Sequence, residues 1–255
     1  MSYATYIVMA LVAFCAGWVD SIAGGGGLLT VPALFLAGLP PKIALGTNKL
    51  QSVCGTITAS TRYYLAGKVE RPWLKYFLPL ALVGSALGTS SILSLSPDII
   101  KPLFIPVFVF IGIYMAVKKE TGAQEDKKKR TNKRFALACG LVFAIGFYDG
   151  FFGPGTGIFL FMVLVLVTGL DAVRATGTTK LINGTTNLAA LAVFLTKGSL
   201  HISLGLTMAC ANAMGGYVGS KMAMDKGQRL IRFVVIAVVL AMSARLAYDV
   251  WLAKS

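Results

Sequence analysis

Four charged residues lie within otherwise apolar segments of this sequence, and they are the first candidates for chemistry. Lys49 and Lys180 each stand six to nine residues into such a segment, and Asp20 and Asp149 stand near the ends of two others. A lysine near the bilayer centre costs about 2.5–3.5 kcal/mol on insertion scales, so a retained one requires a reason. We interpret the lysines as cations that flank an anion pathway and the aspartates as candidate carriers of a coupling proton. The alternative is that each lysine only neutralises a nearby carboxylate.

Two glycine-rich stretches follow the aspartates, and each precedes a short apolar segment. Their predicted substrate-binding members are Gly24, Gly25, Gly26 and Gly27 in the first stretch and Gly153, Gly155, Thr156 and Gly157 in the second. Backbone N–H groups at a helix N-terminus bind anions without a charged side chain, and glycine lets a ligand approach the backbone closely. The stretches therefore predict an anion-binding cradle, although glycine also simply permits helices to cross at short distance.

A polar stripe accompanies each lysine along its segment. The predicted site residues in it are Thr47 and Asn48 in the first copy and Thr178, Thr179, Asn183 and Asn187 in the second, with Gln51, Ser52, Thr56 and Thr185 on the same stripes. Hydroxyls and amides can replace the water around an oxyanion. They also hydrogen-bond neighbouring helices in membranes, at about 0.6 kcal/mol each, so both roles stay open.

The composition indicates that these residues lie in a membrane. Of the 255 residues, 56% are hydrophobic and 13% are charged, and the mean hydropathy is +0.75. Average soluble domains carry about 25% charged residues. Eight of the 24 basic residues lie in one loop at 118–134 between apolar segments, which is typical of a cytoplasmic loop under the positive-inside rule. The lipid bilayer is therefore an expected partner and nucleic acid is not.

The four cysteines lie singly within apolar segments, and no pair of them has metal-ligand spacing. We therefore expect neither a metal nor a cofactor.

Ten apolar segments alternate with short polar connections. They lie at about 4–22, 26–38, 43–66, 73–93 and 99–117 before the basic loop, and at about 135–152, 155–168, 172–196, 200–222 and 229–251 after it. Most approach the roughly 20 residues that a spanning helix needs, but the second segment of each half does not. These two segments are predicted to be half-helices that end inside the protein or at a watery cavity, because exposed irregular backbone is not tolerated at membrane depth.

The two halves are copies of each other. Lys49 falls on Lys180 at an offset of 131 residues, and Asp20 falls on Asp149 at an offset of 129, so the second copy carries a short insertion. The loops that follow matched segments carry opposite charge bias, which implies opposite orientation in the membrane. Inverted repeats with broken helices near the midplane are a recurring transporter design.

We therefore predict an all-α polytopic membrane protein made of two inverted repeats. Each repeat would have about five helical elements with the second short or broken, giving about eight conventional spans. The predicted boundaries are 1–117 for the first repeat, 118–134 for the basic cytoplasmic linker and 135–255 for the second repeat. A small anion would bind near the midplane between the repeats.

Four motifs resemble the TauE/SafE family over about 17–249 of the chain. They are DSIAGGGGLLTVP at 20–32, GTNKLQ at 46–51, GFYDGFFGP at 146–154 and TKLIN at 179–183. The resemblance implies a permease of the bacterial plasma (inner) membrane, in a family linked to export or uptake of sulfite, sulfonates and related organosulfur anions. The inverted repeat predicts transport by alternating access, and we expect no enzymatic activity.

Two other functions are compatible with some of these residues. A passive anion channel would use the same cations, and the sequence does not separate a channel from a carrier. Two intramembrane aspartates are also the requirement of an intramembrane aspartyl protease, in which two carboxylates share a proton. Asp149 lacks the Gly-x-Gly-Asp setting of those enzymes, which disfavours the protease. A homo-oligomer is left open.

Overall fold

The computed structural model describes the backbone of residues 1–96, 99–100 and 132–251, and side chains as far as residue 226. This part of the chain is all-helical, as predicted. Its eight helices are α1 (Tyr3–Ala23), α2 (Gly27–Leu36), α3 (Pro41–Leu65), α4 (Arg71–Ser94), α5 (Asn132–Phe151), α6 (Thr156–Leu166), α7 (Ala172–Thr196) and α8 (Ile202–Trp251).

Helices α5–α8 repeat the order of α1–α4. In each half a long helix is followed by a short one, of 10 residues in α2 and 11 in α6. At 1.5 Å per residue the short helices are about half as long as the roughly 30 Å hydrocarbon core is thick, so they are half-helices as predicted. Helices α1, α4 and α5 are long and apolar enough to cross a membrane, and α3 and α7 are equally long but carry the polar stripes.

The last two predicted segments do not form separate helices. The chain is helical without interruption from Ile202 to Trp251, so the predicted break between 222 and 229 is wrong. The residues at 221–232 include no proline and several strong helix formers, which allow the helix to continue. The predicted segment at 99–117 and the basic linker at 118–134 lie, apart from their edges, outside the described residues. The domain boundaries and the orientation in the membrane therefore stay predictions.

The two halves exchange their packing partners, because the first helix of each half packs along the last helix of the other. Helix α1 packs along α8, and its repeat equivalent α5 packs along α4. A Cβ on Gly84 of α4 would lie 2.5 Å from the carbonyl oxygen of Phe143, and one on Gly215 of α8 would lie 2.0 Å from that of Phe14. Glycine is therefore required at both crossings, as expected for close helix packing in lipid.

Two equivalent apolar cores result from this exchange. One core joins α4 to α5, α6 and α7 around Phe77 and Leu160, and the other joins α8 to α1, α2 and α3 around Met9 and Leu34. The polar residues of α3 and α7 lie between the two cores, where the breaks before α2 and α6 also lie.

Candidate functional site

The two helix breaks touch each other at the centre of the protein. Each break is turned by two glycines with positive φ: Gly24 (84°) and Gly25 (96°) before α2, and Gly153 (89°) and Gly155 (86°) before α6. Glycine adopts this conformation without the steric cost that other residues meet. A Cβ on Gly24 would lie 2.6 Å from the backbone carbonyl carbon of Gly157, so the breaks are in direct backbone contact.

Four open backbone N–H groups, meaning groups without a hydrogen-bond partner among the described residues, lie where the two breaks meet. Within the described residues, the N–H groups of Gly25, Gly27, Gly155 and Gly157 have no hydrogen-bond partner. All four residues line one small cavity, and they stand at the N-terminal ends of α2 and α6. Because the positive ends of both helix dipoles meet there, the arrangement favours a negatively charged ligand.

Both intramembrane lysines are paired with the aspartate of the other half. Lys49 Nζ lies 2.8 Å from Asp149 Oδ2, and Lys180 Nζ lies 2.9 Å from Asp20 Oδ2. The lysine residues are buried, at 3% and 0% exposure. The pairing agrees with the expectation that each lysine neutralises a nearby carboxylate, and it leaves the predicted role in anion binding open.

Both ammonium groups lie against the same turn at the start of α6. A Cβ on Gly153 would lie 3.3 Å from Lys49 Nζ, and one on Gly157 would lie 3.6 Å from Lys180 Nζ. This turn also holds the open N–H groups of Gly155 and Gly157. Positive charge and backbone donors therefore converge on one place.

Amide and hydroxyl groups complete the polar network. Lys49 Nζ also donates to Asn187 Oδ1 at 3.1 Å, and Asn187 Nδ2 donates to Asn183 Oδ1 at 3.2 Å. On the other side, the N–H of Gly26 donates to Asp20 Oδ1 at 3.2 Å. Asn48 is held through its Oδ1, which accepts from Gln51 Nε2 and from a threonine hydroxyl. Asn48, Asn183, Asn187 and Thr156 all line the cavity.

Five of the predicted site residues do not line the cavity. Thr47 and Thr178 bind connecting segments: Thr47 Oγ1 accepts the N–H of His201 at 2.9 Å, and Thr178 Oγ1 accepts that of Glu70 at 3.0 Å. The other three are Gly24, which forms the contact between the breaks, Lys180, which lies behind Asp20, and the buried Thr179. The equivalent positions of Thr47 and Thr178 indicate a structural role in both halves.

Three cavity residues were not among the predicted site residues. Ser52 and Thr56 line it from the polar stripe of α3, and Asn212 lines it from α8. Asn212 is buried, and its Nδ2 donates to the carbonyl of Ala13 at 3.0 Å. In the sequence, Asn212 is marked only as a single amide in an apolar segment. Comparison of the two halves does not reveal it, because the equivalent residue of the first half is Ala81.

Two interlocked helical repeats whose half-helices meet at a buried charged cavity define a polytopic membrane transporter. Comparison with known proteins agrees with this class. The sequence model described as "Sulfite exporter TauE/SafE" matches residues 9–246, and the chain belongs to that family.

Relatives of this chain are named as transporters. A "Probable membrane transporter protein" of Haemophilus influenzae is 38% identical over 95% of this chain and 94% of its own length. The "Probable membrane transporter protein YfcA" of Escherichia coli K12 is 36% identical over 95% of this chain and 89% of its own. The "Probable membrane transporter protein ORF9" of a Sinorhizobium species is 39% identical over 93% and 90%. No solved structure matches the chain.

Proposed function

We propose that this protein is a permease for a small oxyanion, such as sulfite, a sulfonate or a related organosulfur anion, in the bacterial inner membrane. The observation that carries the proposal is the convergence of four open backbone N–H groups and the buried Lys49 on one cavity, with the buried Lys180 behind Asp20 at its wall. The name of the matching family supports sulfur oxyanions as the chemical class. The anion would bind where the breaks touch, and movement of one repeat against the other would open that point to each side in turn.

The surroundings favour a compact anion with several oxygens. Each open N–H group can donate one hydrogen bond, and charge-assisted hydrogen bonds to an oxyanion are about twice as strong as neutral ones. Asn183 and Asn187 add side-chain amides on the Lys49 side. A sulfonate group presents three such oxygens, whereas a carboxylate presents two.

Neither rival function is favoured by the contacts of the aspartates. In a protease the two carboxylates would share one proton. Here each carboxylate accepts from a different lysine. A passive channel needs an open path, whereas the breaks before α2 and α6 are in backbone contact at Gly24 and Gly157 beside the cavity.

Thermal unfolding of the purified full-length chain tests the proposal. Sulfite, ethanesulfonate and taurine should raise the melting temperature more than acetate or chloride at equal ionic strength. A ligand at 100 times its Kd stabilises by about 2.7 kcal/mol. Proteoliposomes loaded with the stabilising anion should then show saturable counterflow, which a channel does not give. Absence of stabilisation by every anion in the panel contradicts the proposal.

A further inference from the structure

The two aspartates differ in their access to the cavity. The Asp20 side chain is 16% exposed, whereas that of Asp149 is 2% exposed. Both residues line the cavity, so the difference lies in how much of each carboxylate water can reach. A proton from water therefore reaches Asp20 more readily than Asp149.

The two lysines differ in what would hold them if their carboxylate were protonated. Lys49 has a second acceptor in Asn187 Oδ1, at 3.1 Å. For Lys180, Asp20 is the one side-chain acceptor among the described residues. A buried ammonium without an acceptor is strongly unfavourable, so Lys180 requires a new anionic partner whenever Asp20 is protonated.

The charged groups around Asp20 come from three helices. Lys180 of α7 pairs with it, Lys49 of α3 and Asp149 of α5 face it across the cavity, and Tyr63 of α3 donates to the backbone carbonyl of the neighbouring Ser21 at 3.0 Å. Helices α2 and α6 present backbone N–H groups and Thr156, and α8 presents the neutral Asn212. Within the described residues, two cations and two carboxylates therefore set the charge of the cavity.

We propose that Asp20 takes up one proton for each anion bound, and that Lys180 exchanges the Asp20 carboxylate for the anion. This inference rests on the proposed function. The proton comes from water and stays on Asp20 Oδ2, where the hydrogen bond from Lys180 Nζ is broken. The cavity changes from zero net charge to +1, and a monovalent anion returns it to zero. The substrate class is accordingly a monoanion that crosses together with one proton, without net charge movement.

Calorimetry on the purified full-length chain can count the protons. Ethanesulfonate is a suitable probe because it stays fully ionised, and titration in two buffers with different ionisation heats gives the protons taken up per anion. Wild-type protein should take up about one proton, and its Kd should rise by up to about tenfold per unit of increasing pH wherever one proton is taken up per anion. D20N imitates the protonated carboxylate, so it should bind ethanesulfonate with no proton uptake and a Kd nearly independent of pH.

Two further variants make the result decisive. D225N removes an exposed carboxylate of α8 and should keep the uptake of about one proton. D20E keeps an ionisable carboxyl group at position 20 and should also keep the uptake of about one proton. This variant tests the inference even if D20N fails to fold.

The possible failures are distinguishable. Binding of ethanesulfonate without proton uptake by wild-type protein overturns the inference and leaves the proposed function intact. Proton uptake that persists in D20N, or loss of binding in folded D20N, also overturns it. If neither ethanesulfonate nor sulfite binds, the proposed function fails, and the inference fails with it.

Discussion

Lys49 and Lys180 occupy equivalent positions in the repeat but different surroundings. Lys49 pairs with a carboxylate whose side chain is 2% exposed and with an amide, whereas Lys180 pairs with a carboxylate whose side chain is 16% exposed. The missing amide beside Lys180 follows from one difference between the repeats, because the equivalent of Asn187 in the first half is Thr56. The shorter Thr56 hydroxyl donates to the carbonyl of Ser52 at 2.7 Å in its own helix.

The two halves share some features of the site and differ in others. Both halves keep the lysine, the aspartate and the glycine break, and these set the geometry of the ion pairs. The side chains beside them differ, since Asn187 accepts from Lys49 and no second side chain accepts from Lys180 among the described residues. We infer that the Lys49 pair holds the two repeats together and that the Lys180 pair is the one that responds to ligand.

The largest expected effect is the loss of stability in K49M. Asp149 would be left buried without its cation, and breaking a buried pair in this way costs about 3–5 kcal/mol. K180M should cost less, because Asp20 is partly exposed and can be hydrated or protonated. Thermal unfolding in detergent measures the difference, and anion flux should fall in both variants.

The matched control for these variants is K68M, which removes an exposed lysine in the connection between α3 and α4. It should leave stability and flux unchanged. Equal losses of stability in K49M and K180M would contradict the division into a sealed and an exchangeable pair. Unchanged anion flux in both variants would show that the lysines do not take part in anion transport.

The next largest effect is the loss of stability expected in G24A and G153A, which change one glycine in each helix break. Both positions have positive φ, and such sparsely populated conformations cost about 1–3 kcal/mol for other residues. A Cβ on Gly24 would in addition meet backbone of Gly157 at 2.6 Å, whereas one on Gly153 would meet the movable end of Lys49 at 3.3 Å. Overpacking adds about 1–3 kcal/mol, so G24A should be the more destabilised protein.

G38A is the control for this pair. Gly38 has a φ of 85°, and nothing lies within 4 Å of the position of its Cβ. It should therefore show the cost of a positive φ without a steric contact. If G24A unfolds no earlier than G38A, the two breaks do not press against each other in the folded protein.

A smaller effect is expected from N187T, which gives the Lys49 pair the side chain found beside the Lys180 pair. Loss of one hydrogen bond to a charged group costs about 1.5–3 kcal/mol at most. The protein should lose stability while the ion pair with Asp149 persists. In calorimetry, Asp149 should then begin to contribute to the number of protons taken up per anion. An unchanged proton count in N187T would show that Asn187 does not seal the pair.

Much of the architecture could be predicted from the sequence because its signals are local. The length of the apolar segments predicted the half-helices α2 and α6, and the offset of 131 predicted that Lys49 and Lys180 are equivalent. The continuous α8 could not be predicted in this way, because charged residues at 221–232 are typical both of a loop and of an exposed helix.

The details of the cavity were less accessible. Helical spacing placed Thr47 and Lys49 on one segment, but it does not state which neighbours each side chain meets. The exchange of packing partners between the halves decides that Lys49 meets Asp149 and that Thr47 meets the connection before α8. Asn212 enters the cavity only through the same exchange.

The smallest expected effect tests the part of the molecule in which the halves are alike. T47V and T178V each remove the hydroxyl that accepts a backbone N–H of the opposite half, at 2.9 Å from His201 and 3.0 Å from Glu70. A buried N–H left without its acceptor costs about 1–3 kcal/mol, and the lower end applies here because each bond joins two neutral groups. The two variants should therefore lose about the same stability, roughly 1 kcal/mol each, and bind anion with unchanged Kd because neither residue lines the cavity. A Kd that rises in either variant would indicate that these threonines take part in anion binding. A large difference in stability between the two variants would show that the two halves differ at these positions as well as at the ion pairs.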